Sequence, residues 1–119
     1  MISTICEFTK KNPVYLVKPT PEMVQNVPIA MLASLTLSGN TNTVKIPIDE
    51  YKKRHNFAFK IQEDAVKICG AKILDPTTYL CDKNYCYGDI NGIPLYFDDD
   101  HLSSYGSELI SPIYDEVFK

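Results

Sequence analysis

The stretch that most restricts how this chain can fold lies near its N-terminus. Pro13-Val14-Tyr15-Leu16-Val17 is a continuous apolar run, and Lys18-Pro19-Thr20-Pro21-Glu22 follows it directly. A short run that is apolar at every position fits a strand covered on both faces, as in a parallel sheet. Pro19 and Pro21 lack the amide donors of a central strand, so the strand must stop and give way to a rigid loop. That loop leaves the C-terminal end of the strand, where open α/β sheets place their sites.

The rest of the chain alternates around this element. Ala71-Lys72-Ile73-Leu74-Asp75, ended by Pro76, is expected as a second short strand. Residues 1–11 carry Ile2, Ile5, Cys6 and Thr9 as a helical stripe, closed by Lys10 and Lys11. Val27 to Leu37 is too short to span a bilayer and reads as a buried helix ending at Ser38-Gly39-Asn40. Ile48 to Cys69 is the longest helical pattern. Ala58, Ile61, Ala65 and Ile68 mark its inner face, Lys52, Lys53, Arg54 and Lys60 its outer face, and Gly70 its stop. Asn91-Gly92 signals a tight turn in a small hairpin between Tyr85–Asp89 and Ile93–Phe97. Ser104 to Phe118 is expected as the closing helix, with Leu109, Ile113 and Val117 inward and Pro112 kinking or dividing it. The alternation argues for α/β with a mainly parallel sheet. Two main strands are few for such a sheet, so the remainder of the domain is expected elsewhere, or another chain completes it.

A chain of 119 residues is a single domain's worth or less. Apolar residues at 45% and charged residues at 23% exclude long disorder and collagen-like structure. A net charge of −3 lacks the basic excess of a nucleic-acid-binding domain. The N-terminus has neither the basic nor the long apolar segment of a secretory signal. Left to itself, the chain is therefore expected to stay in the cytoplasm.

Asp98-Asp99-Asp100-His101-Leu102-Ser103 is the densest polar cluster. A histidine is the usual general base, and a carboxylate three residues earlier can hold its tautomer and stabilise its cation. Asp98 and His101 have that spacing. The alternative is an acidic loop capping the closing helix, with Asp99 and Asp100 near its positive end. Of the four cysteines, Cys81 and Cys86 suit a local disulfide in an oxidising compartment, and Cys6 and Cys69 read as small core residues. Zinc lacks a ligand set, since only His55 and His101 could join the thiols. Lys52-Lys53-Arg54-His55 reads as a solvated face. Tyr79, Tyr85, Tyr87 and Tyr96 either line a carbohydrate groove or pack across a hairpin. There is no Gly-x-Ser-x-Gly, P-loop or dinucleotide fingerprint, so no cofactor is expected and His101 has no visible serine partner.

Tyr96-Phe97-Asp98-Asp99-Asp100-His101-Leu102-Ser103, with Gly106 after it, resembles the last catalytic block of SGNH-type esterases and acyltransferases. The likeness is closest to the C-terminal SGNH domain of bacterial acyltransferase-3 membrane O-acyltransferases. Three further stretches carry it: Val14 to Glu22 with its Pro-x-Pro-Glu loop, Ile46-Pro47-Ile48-Asp49-Glu50-Tyr51 with Arg54, and Leu74-Asp75-Pro76 through Cys81 to Cys86. The resemblance covers residues 1–119 as the C-terminal portion of that domain. It implies a partial three-layer α/β/α, flavodoxin-like sandwich on the periplasmic face of the inner membrane. It also implies a membrane acyltransferase domain as partner, an acyl donor, and a polysaccharide acceptor such as lipopolysaccharide. In it His101 is the base and Asp98 its orienting acid, while the serine nucleophile and oxyanion groups come from earlier blocks that this chain lacks. The chain is therefore expected to be inactive alone, and an exposed sheet edge makes a homodimer a reasonable expectation. Two other readings stand beside it: a non-catalytic carbohydrate-binding or interaction module of the same fold, and a self-contained hydrolase with a cysteine nucleophile.

Overall fold

A computed structural model describes residues 1–40 and 43–118. The elements run α1 (Ile2–Thr9), β1 (Tyr15–Val17), α2 (Val27–Ser38), β2 (Lys45–Pro47), α3 (Ile48–Arg54), α4 (Asn56–Cys69), β3 (Lys72–Leu74), α5 (Thr77–Leu80), β4 (Tyr85–Tyr87), β5 (Asp89–Ile90), β6 (Ile93–Pro94), α6 (Ser104–Ile110) and a 3₁₀ helix, Ser111–Phe118. The two expected strands pair in parallel, Leu16 opposite Ile73 and Val17 opposite Leu74. The α/β class with a parallel sheet follows from this pair.

Two antiparallel pairs add to it. β2 lies against β4 with Ile46 opposite Cys86. Lys45–Pro47 is thus a strand before the helix, and one expectation is corrected: Tyr85–Tyr87 pairs with β2 rather than within a hairpin. The hairpin itself is the shorter β5–β6, turning on Asn91 and Gly92 with φ of 52° and 77°. Positive φ at both central positions is what the Asn-Gly turn supplies.

The expected helix from Ile48 to Cys69 breaks at His55, whose φ of −105° and ψ of 13° leave the helical range. The halves answer to different partners: α3 packs on β2 and β4, and α4 on α1 and β3. The closing helix is divided too, α-helical to Ile110 and 3₁₀ from Ser111, with Pro112 at the junction. Leu109 and Ile113 pack on the core, but Val117 is exposed.

The buried helix expected at Val27–Leu37 is a helix but is not buried. Val27 and Met31, one turn apart, enter the core, while Ile29, Leu32 and Leu37 are 65%, 62% and 87% exposed. A segment apolar all round carries no information about which face is covered. Asn26 caps its start, accepting from the Ile29 amide at 3.1 Å, and Gly39 ends it at φ 78°.

Cys6 and Cys69 are not core thiols. α1 lies along α4, which brings the two Cα atoms to 5.3 Å and joins the sulfurs in a disulfide. Cys81–Cys86 is the second bridge, so all four cysteines are paired and no thiol remains. The cysteine-nucleophile reading falls with that. Among the described residues no helix is long and apolar enough to cross a membrane.

The core gathers Met23, Val27 and Met31 with Ile46, Tyr51, Leu80, Leu95, Tyr96 and Ile110. Gly106 closes it, because a Cβ there would run into the Leu95 backbone carbonyl. Gly106→Ala is expected to cost about 1–3 kcal/mol or more in urea unfolding, and a neutral result would contradict that packing. For the disulfides, alkylation without reductant should add no mass to the chain. Cys69→Ser, which opens the bridge across 63 residues, should cost about 2–4 kcal/mol.

Candidate functional site

The Asp98–His101 loop is closed at its base by backbone contacts. Tyr96 bridges to Leu102, the Phe97 amide donates to His101 O at 3.0 Å, and the Ser103 amide to Leu95 O at 2.9 Å. Ser103 then caps α6, its Oγ accepting from the Gly106 amide at 3.1 Å. The helix is thus capped by Ser103 and not by Asp99 or Asp100.

Asp98 folds back over its own loop. Its Oδ1 accepts the Asp100 and His101 amides at 2.9 and 2.7 Å, and its Oδ2 faces His101 Nδ1 at 2.7 Å. Asp100 Oδ1 lies 2.9 Å from the same nitrogen. A carboxylate only accepts, so Nδ1 carries a hydrogen, and in the neutral ring Nε2 keeps the lone pair. No described residue bonds Nε2. Phe97 stacks on the imidazole, centroids 5.4 Å apart and planes within 17°.

These contacts set the charges. Partial burial pushes the Asp98 carboxyl upward, but the two amide donors and the imidazole outweigh it and bring it down to about 2. His101 is raised above its ordinary value, first by its hydrogen bond to Asp98 and then by the negative charges of Asp98 and Asp100. Burial and the neighbouring Asp99 raise Asp100. Asp98, Asp100 and His101 also place one potential ligand atom each within 4.8 Å of one another. With Nδ1 already held by both carboxylates, the arrangement is that of a hydrogen-bonded acid–base pair.

The Pro-x-Pro-Glu loop runs beneath. Tyr96, buried, donates its hydroxyl to Pro21 O at 2.6 Å, and Tyr51 donates to Pro19 O at 2.7 Å. Arg54 meets Glu22 at 2.5 Å. The basic run is otherwise as expected, with Lys52 and Lys53 exposed, while His55 is half-buried beside Tyr51 and Phe59. The four tyrosines do not form one groove. Tyr96 is in the core, Tyr79 is on α5, and only Tyr85 and Tyr87 approach each other, 6.5 Å apart, with Lys45 over Tyr85. Spacing gave no role to Asp100, Phe97 or Tyr51, though all three lie in the stretches that carry the family resemblance.

The sequence pattern of the SGNH domain found fused to AT3 domains matches residues 1–116. The chain belongs to this family. Among solved structures, this SGNH domain is similar to the periplasmic domain of a lipopolysaccharide acetyltransferase from Salmonella ser. Paratyphi A, with a TM-score of 0.67 and 19% identity. The alignment covers 99% of this chain and 46% of that one, so the SGNH segment spans about half the solved domain's length. At that identity the likeness establishes the fold. Comparison with curated proteins finds no match.

An NMR titration should place the His101 pKa of this SGNH segment above 6.5, and Asp98→Asn should lower it. The two stabilising contributions depend on pH in opposite directions. Asp98, depressed on folding, stabilises above its ordinary value and loses that contribution as pH falls toward about 2. His101, raised on folding, stabilises below its ordinary value and loses that contribution as pH rises through the raised one.

Proposed function

We propose that the chain supplies the base and orienting acid of a serine acyltransferase that acetylates hydroxyls of a cell-surface polysaccharide. The observation that carries this reading is the Asp98–His101 pair itself, with Nδ1 engaged at 2.7 Å and Nε2 open. The nucleophile is a serine outside these residues, delivered by the N-terminal blocks of a longer SGNH domain. In the first half-reaction, Nε2 takes the serine proton as the serine oxygen attacks the acyl carbonyl, then returns it to the leaving group. In the second, Nε2 takes the proton of a sugar hydroxyl, whose oxygen attacks the acyl-serine ester. The serine oxygen leaves with that proton, and the sugar keeps the acyl group. Asp98 holds the tautomer and stabilises the imidazolium in both steps.

Family membership supports an AT3 membrane domain as the partner and source of the acyl group. The two disulfides support an oxidising compartment, hence the periplasmic face of the membrane. The shape supports an incomplete domain: the radius of gyration is 16.5 Å, against roughly 13–14 Å for a compact chain of this length. The exposed side of α2 and the two-stranded β1–β3 sheet would be completed by the rest of the domain, or by a second copy of the chain.

The test is a graft of this chain in place of the corresponding segment of an AT3-fused acetyltransferase. Acetyl transfer to polysaccharide is expected, falling about 10³-fold or more in His101→Ala. The chain alone should turn over p-nitrophenyl acetate at background rate. Turnover that His101→Ala abolishes would place the nucleophile inside the chain. A graft that binds polysaccharide but is indifferent to His101→Ala would make it a binding module instead.

A further inference from the structure

The loop bearing Asp98 and His101 is held from outside as well as from within. The Met23 amide donates to Asp99 O at 2.8 Å, and the Val27 amide donates to Asp98 O at 3.1 Å. Between these two anchors the backbone of Val24 has a φ of 70°. That region is an outlier for a β-branched residue and persists only where the surroundings impose it. The Val24 side chain is 61% exposed, so its own packing does not impose it. Its neighbours do. Met23 and Val27 are 1% and 0% exposed, Pro21 is tied to Tyr96, and Asn26 caps α2. Reversing the chain at Val24 lets both flanking side chains enter the core while both flanking amides reach the acidic loop.

We infer that the Met23–Val27 turn is a positioning clamp for the Asp98–His101 pair, with Val24 as the strained residue that closes it. The turn fixes the backbone at Asp98 and Asp99, and with it the carboxylate that orients the imidazole. The charges acting on His101 are those of Asp98, Asp100 and Asp99, all on its own loop. Residues 23–27 are all uncharged. An alteration of the turn that changes the imidazole titration therefore does so through geometry and not through a lost charge. The clamp's part in catalysis rests on the acyl-transfer reading, but the clamp itself does not.

Two substitutions and one exchange measurement test it. Glycine adopts a φ of 70° freely, so Val24→Gly should raise the melting temperature by a few degrees and leave the His101 pKa unchanged. Proline fixes φ near −65° and cannot close the turn. Val24→Pro should bring the His101 pKa down toward the ordinary value and speed exchange of the Asp100 and His101 amides more than tenfold. A folded Val24→Pro chain with an unchanged His101 pKa would overturn the clamp, as would a Val24→Gly chain of lower stability. Should Val24→Pro not fold, the unsubstituted chain decides. Its Met23, Val27 and His101 amides should exchange with protection factors within tenfold of one another. A His101 amide exchanging more than tenfold faster than the other two would overturn the proposal. None of these outcomes depends on turnover, so a graft indifferent to His101→Ala would end the catalytic reading and leave the clamp standing.

Discussion

Two buried tyrosine hydroxyls meeting two proline carbonyls hold this structure to its site. The Pro-x-Pro loop cannot continue the β1 ladder, because Pro19 and Pro21 offer no amide hydrogen. Their carbonyls still need donors once the loop is covered. Tyr51 and Tyr96 provide them from 32 and 75 residues away. One constraint thus fastens three distant segments: the loop after the first strand, the helix carrying Arg54, and the bridge at Tyr96 that leads into Asp98. Burial raises the pKa of both phenols, so they remain donors at any physiological pH.

On that base the acidic loop makes economical use of one carboxylate. Asp98 organises the loop through two amides with one oxygen and the imidazole with the other. The amides keep it ionised, and an ionised Asp98 keeps Nδ1 protonated. Asp100 adds a second negative charge at the same nitrogen. The imidazole pKa is thereby raised, and no described residue bonds its Nε2. Phe97 stacks on one face of the ring.

Much of this was written in local sequence. Val14–Val17 reads as a covered strand because it is short, apolar throughout and stopped by proline, and Ala71–Asp75 reads as a second short strand ended by Pro76. The Asp-x-x-His spacing placed Asp98 and His101 on one turn, and Asn91-Gly92 placed the hairpin. What failed to show depends on tertiary neighbours. Lys45-Ile46-Pro47 is too short, and too close to a helix start, to declare itself a strand without β4 beside it. Cys6 and Cys69 look like helix-face residues until α1 is laid along α4. Val27–Leu37 is apolar on all sides, so its sequence could not say that only Val27 and Met31 find a core. Val24 has no local signature at all, since its backbone conformation is imposed by Met23, Val27 and the loop they reach.

The central claim is that the imidazole of His101 is prepared as a base before any substrate arrives, with the proton on Nδ1 and the lone pair on Nε2. Nitrogen-15 chemical shifts of the ring, read above the His101 pKa, measure this directly. The account predicts a pyrrole-type Nδ1 and a pyridine-type Nε2, with the Nδ1 proton shifted downfield by its bond to Asp98. A proton resident on Nε2, or the two tautomers populated as in free histidine, would contradict it.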